Sequence, residues 1–465
     1  MTQALETLLD DGVYLTDFKE IAKYSVDIVG DFESAPLGVM RPRTTEEVSK
    51  IMTWCHANKV PVIPQGGNTG LCGGCIPKDI EGAVILSTDR MNQIRNLDVM
   101  GNTITVEAGC VLADVQKLAL DNNRFFPVTH GGQGSAQIGG NLSTNSGGNN
   151  VLKYGTTRAQ VLGLEVVLPD GRIWDGLRAL HKDTAGNDLK QIFIGAEGTL
   201  GIITAAVLKL RPQAVSRETA LVAIKEPADG LWLLRKLQEY VGETVSSFEL
   251  MSKNAVDTFF AFKPEARVPF GESHPYLCIM EAESPSIFFN LRGAFEAALE
   301  DAFNEGKAID AVIAEADQHR MDFWAIREGM AHAMVEDDSC LKSDTSVPVV
   351  QIANFVAQAT NEFERLVPGM RATPLGHMGD GNIHFNGQRP LDMDKQTFIE
   401  HWDVLKNAVE DISVELGGSV CAEHGVGRIK KKAMSRVKSD VEMDLFRTLK
   451  KALDPGGICN PGAVL

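Results

Sequence analysis

Residues 131 to 150 carry seven glycines and no charged side chain, interleaved with serine, threonine, asparagine and glutamine. Such a stretch has too little apolar surface to make its own core. It also lies between two strand-rich regions, where a structureless linker of this length would be out of place. Its backbone can instead lie flat against a large ligand and offer it many hydrogen-bonding groups. Two further segments point the same way. Pro64-Gln65-Gly66-Gly67-Asn68-Thr69-Gly70-Leu71 follows a strand expected at Val60 to Ile63, and its glycines let successive N–H groups turn toward one point, a nest suited to a diphosphate. Gly195 to Thr204 leads into another strand. The first loop lacks the Lys-[Ser/Thr] ending of a P-loop, and no G-x-G-x-x-G follows a strand, so a nicotinamide-type dinucleotide fingerprint is missing. Gly379-Asp380-Gly381-Asn382-Ile383-His384 comes nearest and ends in histidine.

A chain of 465 residues exceeds what one hydrophobic core usually serves. We expect an α+β protein with divisions at 1–212, 213–429 and 430–465. Thr44 and Glu47 fit a capping box, and Val48, Ile51, Met52 and Cys55 then recur at helical spacing before Val60 restarts a strand. Further strands are expected at 83–87, 103–107, 162–168 and 201–210. From Ser216 the pattern lengthens to strand 220–224, helix 230–240, strand 276–281 and helix 286–305, which suggests a second domain built on an antiparallel sheet. The stretch 440–453 reads as a final helix.

The net charge of −17 sets the chain against nucleic-acid backbones and anionic membrane surfaces. It leaves room for a small anionic substrate held by a local cluster of cations. No apolar run approaches the ~18 residues of a membrane span. Met1 to Asp10 is too acidic for a signal peptide, so the cytoplasm is the default location. Cys72-Gly-Gly-Cys75 has no second pair at zinc-ligand spacing and reads as two small apolar side chains in a loop.

The second half holds a denser cluster. His377 and His384 flank Gly379-Asp380-Gly381, where a turn could bring both imidazoles to one point; Glu423 and His424 follow, beside Gly425 and Gly427. Two histidines this far apart are often unrelated. An acidic residue next to a third histidine, again among glycines, favours a metal. Two histidines and a carboxylate suit Zn²⁺ with an open coordination position, and Mn²⁺ or Fe²⁺ could take similar ligands. In an extended segment, Glu423 and His424 would point to opposite sides and serve different purposes.

Together with Gly139-Gly140-Asn141, Asn145-x-Gly147-Gly148, Tyr154-Gly155 and Gly163 to Gly171, the three glycine segments resemble the FAD-binding domain of the vanillyl-alcohol oxidase / p-cresol methylhydroxylase (PCMH) superfamily. The resemblance implies a PCMH-type FAD-binding domain of two α+β subdomains, with its core at about 35–212. It further implies an antiparallel, ferredoxin-like substrate (cap) domain carrying the metal site and a C-terminal helical segment returning to the first domain. It assigns FAD contacts to Pro64, Gly66, Gly67, Asn68, Thr69, Gly70 and Leu71 at the diphosphate. Ser135, Gly139, Gly140, Asn141, Asn145, Gly147, Gly148, Tyr154, Gly155, Glu197, Gly198, Gly201, Ile203 and Asn460 complete the cofactor set. Relatives that link FAD covalently use a histidine in the first loop; Asn68 stands there, which implies non-covalent FAD.

His377-Met-Gly-Asp380-Gly-Asn-Ile-His384 and Glu423-His424-Gly425-x-Gly427 resemble the signatures of flavin-linked D-lactate, glycolate and D-2-hydroxyglutarate dehydrogenases. That likeness runs over almost the whole chain, including Asn460-Pro461-Gly462. It implies metal ligation by His377, His384 and Glu423, and a catalytic base at His424. It also implies substrate contacts at Arg327, Lys342 and Asn386. Lactate-type relatives tend to lack the lysine, so Lys342 favours a second carboxylate on the substrate, as in D-2-hydroxyglutarate. Ala331 replaces a threonine that supplies a further contact in some relatives, which keeps a shorter acid such as D-malate in view, beside D-lactate and glycolate. An electron-transfer flavoprotein or a quinone is the expected acceptor, and a homodimer is compatible with the sequence. A metal-dependent hydrolase without flavin would leave the glycine segments unexplained, and a non-catalytic flavin carrier would leave His424 so.

Overall fold

The computed structural model describes residues 12–336 and 340–465; the acidic stretch Met1 to Asp10 lies outside them. The chain divides into two compact units. The first comprises residues through Gly148, Gly155–Gln213 and Glu423–Leu465; the second comprises Asn149–Tyr154 and Ala214–Ala422. The expected stretch 213–429 is therefore divided between Ala422 and Glu423, and residues 149–154 group with the second unit.

The first unit has two α+β parts. In one, the strand Val39–Met40, the helix Thr45–Asn58 and the strand Val62–Gln65 form a crossover, with both strands parallel to Val84–Ser87 between them. Thr44 caps the helix, accepting from Glu47 N at 3.2 Å. The reciprocal half of the capping box is not made, because the Glu47 carboxylate accepts from Arg43 N instead, at 2.6 Å. Val48, Ile51, Met52 and Cys55 are fully buried, as their spacing requires, and Lys59 ends the helix in the left-handed conformation. The other part is a five-stranded antiparallel sheet in the order 94–98, 103–107, 202–209, 161–167, 173–176. Ile458 and Cys459 complete the core beside Val48 and Ile51, with Cys459 bridged to Val62.

The second unit is built on an eight-stranded sheet whose pairings are all antiparallel. Its first four strands lie in the order 310–313, 216–224, 276–284, 245–252. Numbered along the chain this is 4-1-3-2, the ferredoxin-like order, with helices Pro227–Val241 and Leu291–Asn304 as connections. The helix expected from Ser286 begins only at Leu291, because Asn290 caps it by accepting from Gly293 N. The sheet continues beyond Val245–Ser252 through the hairpin Arg371–His377 and Asn382–Gln388. Both faces are covered, so alternate residues of one strand enter different cores: Ala220, Val222 and Ile224 on one side, Leu221 and Ala223 on the other. Among the described residues no helix is long and apolar enough to cross a membrane.

Candidate active site

In the first unit the glycine loops pack backbone against backbone. A Cβ on Gly67 would stand 1.9 Å from Ser135 O, so the close approach of residues 64–71 to residues 135–140 requires glycine there. Beside this contact the surface is open: a Cβ on Gly70 or on Gly140 would meet nothing within 4 Å. Asn141, buried in the short helix Ile138–Thr144, has its Oδ1 3.1 Å from His130 Nε2, while its Nδ2 is a buried donor with no partner. Open glycine backbone beside an orphaned amide donor fits the acceptor-rich edges of a flavin dinucleotide. Asn68 shapes the first loop, donating to Val26 O at 2.8 Å and accepting from Cys75 Sγ at 3.2 Å. Burial pushes the Cys75 thiol up to about 11, which suits packing rather than redox chemistry.

Glu197 and Asn460, both expected at the cofactor, also organise the turn that carries Glu423 and His424. The Glu197 carboxylate accepts from Val426 N at 2.7 Å and from Gly427 N at 2.8 Å. Burial raises its pKa, opposed by those two N–H groups and by Lys430. Asn460 donates to Gly74 O and Glu197 O and accepts from Arg428 Nη2 at 3.0 Å. Cys72 Sγ donates to Gly425 O at 3.3 Å. Glu423 and His424 lie in a bend rather than an extended segment, and His424 Nε2 is 3.7 Å from Glu423 Oε1. The two side chains therefore stay together, and the opposite-facing arrangement does not apply.

In the second unit the hairpin does the positioning. Its register pairs Leu375 with His384 and His377 with Asn382. His377 and His384 therefore share one face as diagonal neighbours, their ring centroids 5.8 Å apart. Gly381 closes the turn between them at φ +92°, where a Cβ would strike Val347 O at 2.2 Å. Each ring is oriented through Nδ1. That of His377 lies 2.8 Å from Glu249 Oε1, and that of His384 lies 3.3 Å from Ser343 O. Both partners are acceptors, which suits a proton on Nδ1 and an unprotonated Nε2, a tautomer compatible with metal ligation.

The cations of the same unit are set by neighbouring contacts. Arg327, on the helix Asp317–Glu336, is buried and donates through Nε to Glu249 Oε2 at 2.8 Å. Lys342 is exposed. The next residue is fixed on both sides: Ser343 N donates to Asn386 Oδ1 at 2.9 Å, and Ser343 Oγ donates to Phe385 O. Asn386 thus holds the Lys342 segment against the strand that carries His384. Ala331, one turn beyond Arg327, offers no hydrogen bond.

Two functional candidates escaped the sequence. Glu249 is the partner of both His377 and Arg327, and His377 and Arg327 together hold its carboxyl down at about 2 against the burial that would raise it. Asp344 is buried, with a carboxylate oxygen within 4.8 Å of a His384 ring nitrogen and 3.4 Å from Asn382 Nδ2. The available signal was a lone carboxylate inside the apolar strand Phe248 to Met251, and an acidic residue two beyond Lys342.

Comparison with known proteins adds the following. Residues 213–464 match the family described as FAD linked oxidases, C-terminal domain, and residues 36–176 match the FAD binding domain family. A D-2-hydroxyglutarate dehydrogenase of Stutzerimonas stutzeri is 32% identical, the alignment covering 99% of this chain and 97% of that one. The mitochondrial D-2-hydroxyglutarate dehydrogenase of Bos taurus is 35% identical, with 99% and 82% covered. Among solved structures, p-cresol methylhydroxylase with substrate bound superposes with a TM-score of 0.76 at 16% identity, over 100% of this chain and 96% of that one, a likeness of fold.

Proposed function

Since the chain belongs to the FAD-linked oxidases and, within them, to the D-2-hydroxyglutarate dehydrogenase family, it is a flavin-dependent oxidoreductase, and we propose that it oxidises D-2-hydroxyglutarate to 2-oxoglutarate with the help of a divalent metal. The observation that carries the metal-assisted reading is the paired orientation of His377 and His384, each with Nδ1 turned to an acceptor. In this reading those two side chains and Glu423 hold the ion, with Zn²⁺ the best match and Mn²⁺ or Fe²⁺ suited to the same donors.

When bound, FAD would supply the two-electron acceptor, and the metal would supply Lewis-acid chemistry for the hydroxyl group. His424 takes the hydroxyl proton as C2 gives up its hydride, imidazole being a side chain that can accept a proton as a general base. Arg327, with Nε engaged by Glu249, grips the C1 carboxylate through its terminal nitrogens. Lys342 meets the distal carboxylate, its segment steadied by Asn386. The residues around Gly66 and Gly139 to Gly148 bind FAD without a covalent link, since Asn68 offers no nucleophilic ring nitrogen.

Ala331 favours a second reading, in which a shorter dicarboxylate such as D-malate is the better substrate. The electrons leave to a separate carrier, an electron-transfer flavoprotein or a quinone, and the reaction runs in the cytoplasm. The deciding experiment is anaerobic mixing of metal-loaded protein with D-2-hydroxyglutarate, D-malate, D-lactate and glycolate while flavin absorbance is followed. Rapid bleaching by D-2-hydroxyglutarate is expected. Bleaching mainly by D-malate would favour the second reading, and bleaching mainly by D-lactate or glycolate would overturn the role of Lys342. Absence of any flavin band after FAD is added would overturn the whole reading.

A further inference from the structure

The strand Val245–Ser252 is buried along its whole length, and one carboxylate stands among its apolar side chains. Glu249 lies on the sheet face that carries Met251, Leu375 and, from the covering helix, Trp324, Ile326 and Met330. A carboxylate in such surroundings must be fully partnered, because an unpaired buried charge is strongly destabilising. Each of its oxygens has a different partner: Oε1 faces His377 Nδ1 and Oε2 accepts from Arg327 Nε, both at 2.8 Å. The sheet register sets Glu249 directly opposite His377, so the first contact follows from strand pairing alone. Glu249, Arg327 and His377 are all more than nine-tenths buried.

A purely structural ion pair would need only Glu249 and Arg327. The third member is what links the pair to chemistry. Fixing Nδ1 of His377 selects the tautomer whose Nε2 can ligate, and a carboxylate behind a ligating imidazole raises its basicity toward the ion. Fixing Nε of Arg327 sets the plane in which its terminal nitrogens meet a substrate carboxylate. We propose that Glu249 is a positioning residue shared by the metal-binding histidine and the substrate-binding arginine, so that one carboxylate couples metal affinity to recognition of the hydroxy acid. The inference rests on the metal-assisted reading given above.

The test uses full-length, FAD-loaded protein carrying Glu249→Gln, which keeps size and shape but removes the charge. Zn²⁺ affinity is measured by competition with a chelating dye in the absence of substrate. Flavin content and thermal melting report the fold. The expected result is metal affinity weakened ~10–100-fold at unchanged flavin content. At saturating Zn²⁺, KM for D-2-hydroxyglutarate should rise by a larger factor than kcat falls. Zn²⁺ affinity and KM within twofold of wild type would overturn the proposal. If Glu249→Gln does not fold, Glu249→Asp retains the buried charge opposite Arg327 while drawing the oxygen back from His377. It should keep the fold and lose Zn²⁺ affinity, and an unchanged affinity would again overturn the proposal. Wild-type protein that bound no divalent metal would remove the underlying reading as well, whereas a wild type that binds Zn²⁺ beside an unaffected Glu249→Gln sinks this inference alone.

Discussion

The hairpin 371–388 and the turn 423–427 both carry side chains assigned to catalysis, and they are held in place by different means. In the hairpin, His377 and His384 acquire their common face from ladder register, and Phe385 anchors the strand from the opposite face against Phe355 and Phe363. The turn has no ladder. Its backbone N–H groups at Val426 and Gly427 rest on the carboxylate of Glu197, with Cys72 Sγ donating to Gly425 O and Val464 N donating to Gly427 O as further ties. Register is a collective property that no single side chain controls, whereas a turn held by a few separate bonds is sensitive to each, and Glu197 alone supplies two of them. Substitutions in the two regions should therefore separate stability from activity in opposite ways.

The largest effect is expected at the turn itself. His424→Ala should lower kcat by ~10²–10⁴-fold while the flavin spectrum stays that of wild type; near-normal turnover would remove His424 as the base. In the hairpin, Phe385→Ala leaves a cavity in a fully buried cluster and should cost about 3–5 kcal/mol in denaturant unfolding. Zn²⁺ affinity of the fraction that remains folded should be preserved, because the register survives. A loss of affinity larger than the unfolded fraction explains would mean that packing, not register, orients the rings. Glu197→Gln reverses the pattern: stability should change by no more than about 1.5–3 kcal/mol, since one acceptor oxygen remains. Displacement of His424 by ~1 Å would by itself cost on the order of 10² in kcat. The smallest effect belongs to Lys342→Ala. Loss of one charge-assisted contact should reduce kcat/KM for D-2-hydroxyglutarate by roughly 10-fold or somewhat more and leave D-lactate oxidation nearly unchanged. Equal losses on both acids would undo the second-carboxylate assignment.

What could be read in the sequence was local. The glycine segments, the Thr44 cap and the seven-residue spacing of His377 and His384 each depend on neighbours in the chain. So does the alternation of strands and helices after Ser216. Glu249 could not be found in this way, because its partner His377 lies 128 residues away and meets it only through strand pairing. The same holds for Glu197, which sits among glycines expected at the cofactor yet turns its carboxylate to backbone 229 residues further on. The strand expected to stop at Glu281 runs on to Ser284. Its charges suggest an exposed end, but Glu281 accepts from Thr219 and Trp324, and Glu283 is gripped by Arg217 and Tyr154. Charge marks a strand end only when nothing distant neutralises it.

The bridge between Val62 and Cys459, with Asn460 donating to Gly74 O across 386 residues of sequence, also bears on how the polypeptide is made. An amino-terminal domain is ordinarily finished while the rest is still on the ribosome. Here the strand that precedes the first glycine loop waits for residues synthesised almost four hundred positions later. At about 5–20 residues per second that delay is on the order of 20–80 s. During it the edge of Val62–Gln65 stays unpaired on one side, and the nascent chain is open to chaperones and to self-association. Changes within residues 458–460 should accordingly be felt first in the yield of folded protein and only afterwards in turnover.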